Sequence, residues 1–263
     1  DSGIGGLTVV RELVHRLPDE AIIYFGDTAR VPYGPKSPAT VLRYSEEAAA
    51  FLLSRGVKMV VIACNTATAH AAAHLAAALP VPVIGVIEPG ARAAVQATST
   101  GRVGVIGTAG TIRSGAYDLA VRRRLADARV YAQPCPLFVP LVEEGWSAHA
   151  AARLAAQEYL LPLRDMDVDV LILGCTHYPL LSDLIQDVMG PGVRLVDSAA
   201  ETAREVEATL DRMDARRPAG DRPRHVFAAS DAPLRFRDVG RSFLGDLLTS
   251  VEEVDVDGFG RAA

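Results

Sequence analysis

Lysine is nearly missing from this chain: only Lys36 and Lys58 occur among 263 residues. Chemistry through a lysine Schiff base, as pyridoxal phosphate enzymes require, therefore has two candidates. Lys36 falls in a loop and Lys58 at the start of a strand-like run, and neither placement suits that role. Cysteine is scarce too, with three residues and no C-x-x-C pair, which speaks against a thiol oxidoreductase. An odd count leaves at least one thiol outside any internal disulfide, which suits a reducing compartment. No apolar run is long enough to cross a bilayer and no signal-peptide pattern opens the sequence, so a cytoplasmic protein with no membrane partner is expected. A basic surplus is also lacking. The formal net charge of -5 argues against a nucleic-acid partner, since phosphates need a positive face. The run Arg122-Arg123-Arg124 reads as a solvated helix face.

What is present is an ordinary globular composition, 49% hydrophobic and 22% charged, long enough for one large or two smaller domains. The chain also repeats itself. Val57-Lys58-Met59-Val60-Val61-Ile62-Ala63-Cys64-Asn65-Thr66 and Val168-Asp169-Val170-Leu171-Ile172-Leu173-Gly174-Cys175-Thr176-His177 share one pattern. Each is a β-branched run, a small residue, a cysteine and a polar pair. Such continuous apolar runs suit strands buried on both faces of a parallel sheet. A helix is expected after each cysteine, over 67–79 and 180–189, and a further strand over 81–87 and 193–196. Arg102-Val103-Gly104-Val105-Ile106-Gly107 predicts a strand entering the turn Thr108-Ala109-Gly110-Thr111. Asp1-Ser2-Gly3-Ile4-Gly5-Gly6 looks like the matching turn, and an apolar strand is expected to precede it in the natural protein. The polar stretch 211–224 reads as an exposed loop, followed by a strand over 225–228 and a helix over 233–248.

The expected fold is therefore α/β, two pseudo-symmetric Rossmann-like (flavodoxin-like) domains with largely parallel sheets and an active site in the cleft between them. Residues 1–89 plus 203–263 are expected to form the first, discontinuous domain, and residues 90–202 the second.

Cys64 and Cys175 stand where strands give way to helices, the place where open parallel sheets bind ligands. A thiol there feels the positive end of the helix dipole, which favours thiolate and lowers a pKa that starts near ~8.5. Backbone N–H groups of the same turns can hold a carboxylate. Recurrence in both halves sets these two thiols apart from Cys135, which reads as a small buried hydrophobe. Asp1 and Ser2 belong at the same sheet edge as Cys64, and His177 is placed to orient or deprotonate Cys175. His70 and His74 have a metal-ligand spacing, but alanines fill the gap and no third ligand is evident, so no metal is expected. The glycines at 104, 107 and 110 leave open a small-anion or nucleotide-binding module, without the dinucleotide spacing or a P-loop lysine.

Taken in order, several segments resemble the glutamate racemase family: Asp1-Ser2-Gly3-Ile4-Gly5-Gly6-Leu7-Thr8-Val9, Gly26-Asp27-Thr28, Pro32-Tyr33-Gly34, Ala63-Cys64-Asn65-Thr66-Ala67, Pro140-Leu141-Val142-Glu143-Glu144-Gly145 and Gly174-Cys175-Thr176-His177-Tyr178-Pro179-Leu180. The resemblance implies interconversion of L- and D-glutamate with no cofactor and no metal, with D-glutamate passing to peptidoglycan synthesis. It implies that Cys64 and Cys175 are the two acid/base thiols, Cys64 taking the proton of D-glutamate. Asp1, Glu143 (by position rather than Glu144) and His177 match the family's supporting polar residues. Asp1, Ser2, Tyr33, Gly34, Asn65, Thr66, Thr176 and His177 match its substrate-binding residues. A homodimer is common among such relatives. An aspartate or hydantoin racemase would also use two thiols, and the motifs around Asp1 and Tyr33 disfavour both.

Overall fold

The computed structural model describes residues 1–220 and 223–255. Parts of the expected loop 211–224 and of the expected domain segment 203–263 lie outside the described residues. Strands and helices alternate along the chain. The strands are β1 (Ile23–Gly26), β2 (Val60–Ile62), β3 (Val83–Gly85), β4 (Arg102–Gly107), β5 (Arg129–Pro134), β6 (Val170–Gly174), β7 (Arg194–Asp197), β8 (Val226–Ala229) and β9 (Glu252–Glu253). The helices are α1 (Leu7–Arg16), α2 (Pro38–Ser54), α3 (Asn65–Ala78), α4 (Ile87–Ala97), α5 (Ala109–Arg113), α6 (Ala116–Arg122), α7 (Phe138–Glu143), α8 (Ala150–Arg164), α9 (Ser182–Met189), α10 (Ser198–Arg212) and α11 (Pro233–Leu244).

Every strand pair among the described residues is parallel. The second half is one four-stranded sheet in the order β5-β4-β6-β7. Its inner strands alternate with period two, as pleating requires. Val103, Val105, Val170 and Ile172 pack under α4 and α6, against Ile87, Ala91, Ala94, Ala120 and Val121. Ile106, Leu171 and Leu173 face the other way, towards Ala156, Leu160 and Leu163 of α8 and Ile185 and Val188 of α9. Burial on both faces explains why these strands read as unbroken apolar runs.

The first half holds a β2-β3 pair and a β1-β8-β9 sheet. Ile23 lies opposite Val226 and Gly26 opposite Ala229, so a late segment of the chain rejoins an early one. An apolar cavity of about 500 Å³ separates β1 from β2, lined by Ile23, Phe25, Val60, Val61, Val9, Leu13 and Val206 among others. Asp1 reaches its rim, but neither Cys64 nor Cys175 lines it.

The two cysteine-bearing units share one connectivity. β2 leads through α3 to its parallel neighbour β3, and β6 leads through α9 to its parallel neighbour β7. One local departure separates them: the expected helix from residue 180 begins as α-helix only at Ser182, after a 3-10 turn over Tyr178–Leu181. Pro179 sits near the start of that turn, where it has no N–H to spare and a fixed φ.

Candidate active site

Cys64 is the N-cap of α3, with extended backbone (φ -67°, ψ 122°), and its Sγ accepts the Ala67 N–H at 3.4 Å. It is 7% exposed. Thr66 follows in the first turn, and its Oγ1 lies 2.8 Å from Thr108 Oγ1 and 3.1 Å from Thr111 Oγ1. Thr108 is itself the N-cap of α5, at the end of β4. The turn after β2 is thus tied to the turn after β4, across two different sheets. Gly34 joins the same junction: a side chain there would come within 2.8 Å of Thr108 Cβ.

The opening turn makes a second tie. Asp1 accepts the Asp27 N–H through its carbonyl at 3.0 Å, which sets it beside the end of β1. Its Oδ1 accepts the Gly3 N–H at 2.9 Å, and Tyr24 donates its hydroxyl to the Gly3 carbonyl at 2.8 Å. Where a side chain on Gly5 would stand, Thr176 and His177 already are. Thr8 Oγ1 donates to the carbonyls of Gly5 and Thr176, at 2.9 and 3.1 Å. The turn carrying Asp1 therefore rests on the turn carrying Cys175. Ser2 is half-buried beside Asp1, with no side-chain hydrogen bond among the described residues.

Cys175, also 7% exposed, has different company. Its Sγ stands 4.0 Å from His177 Nδ1, and His177 Nε2 stands 3.0 Å from Glu143 Oε1 at the end of α7. Burial opposes charge on this imidazole, but hydrogen bonds to Cys175 and Glu143 outweigh it and push the pKa up to about 9. The hydrogen bond to His177 also draws the Glu143 carboxyl below its ordinary value, against the effect of burial. Cys64 is thus served by a helix start, whereas Cys175 is served by a histidine-carboxylate pair and a short 3-10 turn.

Tyr33 is 4% exposed and donates its hydroxyl to the Asp27 carboxylate. Asp27 is fully buried, gripped by Arg30 Nε at 2.9 and 2.8 Å and by Ser230 Oγ at 2.8 Å. Arg30 continues to Glu47. Burial first, then the Asp27 charge, raises the Tyr33 phenol, so it stays a neutral donor. Sequence reasoning named Tyr33 but not Asp27, Thr108 or Thr111 as site residues. A buried acid shows no periodic signal, and the two threonines had been read only as a turn.

Two buried polar atoms at this junction have no hydrogen-bond partner among the described residues: Asp1 Oδ2 and Asn65 Nδ2. One is an anionic acceptor and the other a neutral donor, the complements of an ammonium and a carboxylate. The remaining candidates fall elsewhere. Cys135 is wholly buried in the core beside Phe138 and Tyr178, and burial pushes its thiol up. His74 pairs with Glu46 at 2.8 Å and His70 bonds to the Gly110 backbone, so the two histidines serve separate partners. The glycines at 104, 107 and 110 do not form a cradle. Their side-chain space is filled by Leu171, the Gly174 carbonyl and the Gly34 carbonyl.

Comparison with known proteins decides the relationship. The sequence profile of the Asp/Glu/Hydantoin racemase family matches residues 5–206. The chain belongs to that family. Glutamate racemase from Geobacter metallireducens is 53% identical over 257 residues, 98% of this chain and 95% of that protein. The crystal structure of a glutamate racemase isoform from Bacillus anthracis superposes with a TM-score of 0.94 at 42% identity, covering 97% of this chain and 95% of that one. That of Francisella tularensis glutamate racemase in complex with D-glutamate gives 0.91 at 40% identity, covering 98% and 96%. With these racemases the chain shares the two-domain α/β fold expected from its repeated strands.

Proposed function

We propose that this racemase interconverts L- and D-glutamate by a two-base mechanism in which Cys64 and Cys175 face opposite sides of the substrate α-carbon. The observation that carries the reading is the interlocking of four turns in two pairs. Those bearing Asp1 and Cys64 each pack onto turns of the second sheet, one of which holds Cys175. The relatives named for glutamate supply the substrate.

Inverting an α-carbon requires a proton to leave one face and another to arrive at the opposite face. One thiolate takes the α-proton as the C–H bond breaks. The other sulfur, as thiol, gives its proton to the carbon from behind, and the two have then exchanged protonation states. The reverse reaction swaps the roles, with Cys64 acting on D-glutamate and Cys175 on L-glutamate. Asp1 Oδ2 would take the ammonium and Asn65 Nδ2 one carboxylate oxygen, with Ser2, Tyr33, Gly34, Thr66, Thr176 and His177 completing the enclosure. Preorganised donors around that carboxylate are needed, because the carbanion-like charge is delocalised into it. His177, charged and held by Glu143, stabilises a Cys175 thiolate. The two-unit boundary we adopt is 1–89 with 203–263 against 90–202. A cytoplasmic, peptidoglycan-supplying role and a homodimer complete the proposal. No helix among the described residues is long and apolar enough to cross a membrane.

Purified protein given L-glutamate under reducing conditions should lose optical rotation until the two enantiomers are equal. Cys64→Ser and Cys175→Ser should each lower turnover by a factor of about 10² or more, the scale of general acid-base catalysis. Near-native racemisation by either single variant would contradict the assignment.

A further inference from the structure

We propose that Tyr117 is a positioning residue for the substrate carboxylate, acting through Asn65 and spanning the two thiol-bearing turns. The inference rests on the reading of the site given above and adds a residue that no motif marked. Tyr117 lies on α6, is 3% exposed, and donates its hydroxyl to Asn65 Oδ1 at 2.7 Å. Asn65 directly follows Cys64. The same ring lies against Gly174, which directly precedes Cys175: a side chain on Gly174 would come within 3.1 Å of Tyr117 Cε2. One tyrosine therefore touches the neighbour of each thiol, from two different sheets.

Its hydrogen bonding determines what Asn65 offers. A phenol has a single proton to give, and here it goes to Asn65 Oδ1. The amide therefore presents its oxygen to Tyr117. The amide nitrogen then points away as a donor, and it is this Nδ2 that is buried with no partner among the described residues. Asn65 is 3% exposed, so water cannot readily satisfy that donor. Burial, foremost, holds the Tyr117 phenol above its ordinary pKa, so it remains a donor across the working range. Without the hydroxyl, nothing fixes which end of the amide faces the substrate, and half of its orientations set a carbonyl oxygen against a carboxylate.

Tyr117→Phe keeps the ring against Gly174 and removes only the hydroxyl. It should weaken D-glutamate binding by about tenfold, the scale of one buried hydrogen bond, and raise KM for both enantiomers alike. kcat should change by no more than about threefold, since neither thiol is touched. In an Asn65→Ala background the same substitution should have no further effect on binding, because its target is gone. Calorimetric Kd for D-glutamate reads the outcome directly, whether or not turnover follows, so the proposal stands or falls apart from the two-thiol mechanism. An unchanged Kd in Tyr117→Phe, or losses that multiply independently in the double variant, would overturn it. So would a loss confined to kcat.

Discussion

Cys64 and Cys175 occupy equivalent places in the repeat but are supported by different chemistry. The sulfur of Cys64 takes a helix N–H, whereas Cys175 stands beside an imidazole whose far nitrogen is held by Glu143. That difference has a pH consequence. The folded pKa of His177, about 9, lies above the ordinary histidine value near ~6.5. Its contribution to stability is therefore fully present below the ordinary value and is lost as pH rises through about 9. Activity should show an upper limb inflecting in that region. Glu143→Gln removes one of the two interactions that raise the value, so the limb should move down by about one pH unit or more. A pH profile of kcat/KM with the limb unmoved in Glu143→Gln would break the assigned role. The thiols and His177 stand out in the sequence because each sits in a short motif. Asp27 lies within the segment Gly26-Asp27-Thr28, but its burial and its ion pair with Arg30 do not show there, and Tyr117 falls in no motif, since a lone tyrosine looks the same in sequence whether it faces solvent or the interior.

Among the elements, strands were easier to read than their surroundings. Past Arg102, β4 and β6 hold nothing but Val, Leu, Ile and Gly, and the burial of both faces by α4, α6, α8 and α9 is the reason. The start of α9 was less legible, because Pro179 permits either a helix start or a 3-10 turn. Capping by distant side chains was not legible at all. Asp169, at the entrance to β6, accepts from Thr98 Oγ1 at 2.6 Å, from Ser99 N and Oγ at 2.6 and 2.9 Å, and from Thr100 N at 2.9 Å. It thereby pins the end of α4 to the four-stranded sheet. Desolvation raises its carboxyl, but these hydrogen bonds prevail and bring it down to about 2. The depressed value means that this stability is present above the ordinary carboxylate range and is lost as pH falls towards about 2. Asp169→Asn should cost roughly 1 kcal/mol at neutral pH, allowing for solvent screening at a partly exposed site. In urea unfolding curves the gap from wild type should close as pH drops from about 4 to 2. A gap that persists in acid would mean the loss is steric rather than ionic.

In the whole molecule, the proposed site draws on residues from both halves of the chain. Asp1, Tyr33, Cys64 and Asn65 come from the segment before β3, while Thr108, Tyr117, Cys175 and His177 come from the turns and helix that follow strands β4 and β6 of the four-stranded sheet. Ser230, just after β8, braces Asp27 from a third stretch of chain. The late segment was expected to join the first unit, but which strand it meets was not: the pairing of β8 with β1 depends on contacts more than 200 residues apart in number, beyond what local pattern carries. Two thiols from two units make one prediction that a single-base racemase does not share. Racemisation started from pure L-glutamate in D2O, stopped at low conversion, separates the cases when each enantiomer is isolated and its α-position read by NMR. Two bases on opposite faces predict that the D-glutamate formed carries deuterium while the remaining L-glutamate keeps its original proton. Protium retained at the α-carbon of the D-glutamate product would show one base returning the proton it removed, and would contradict the account.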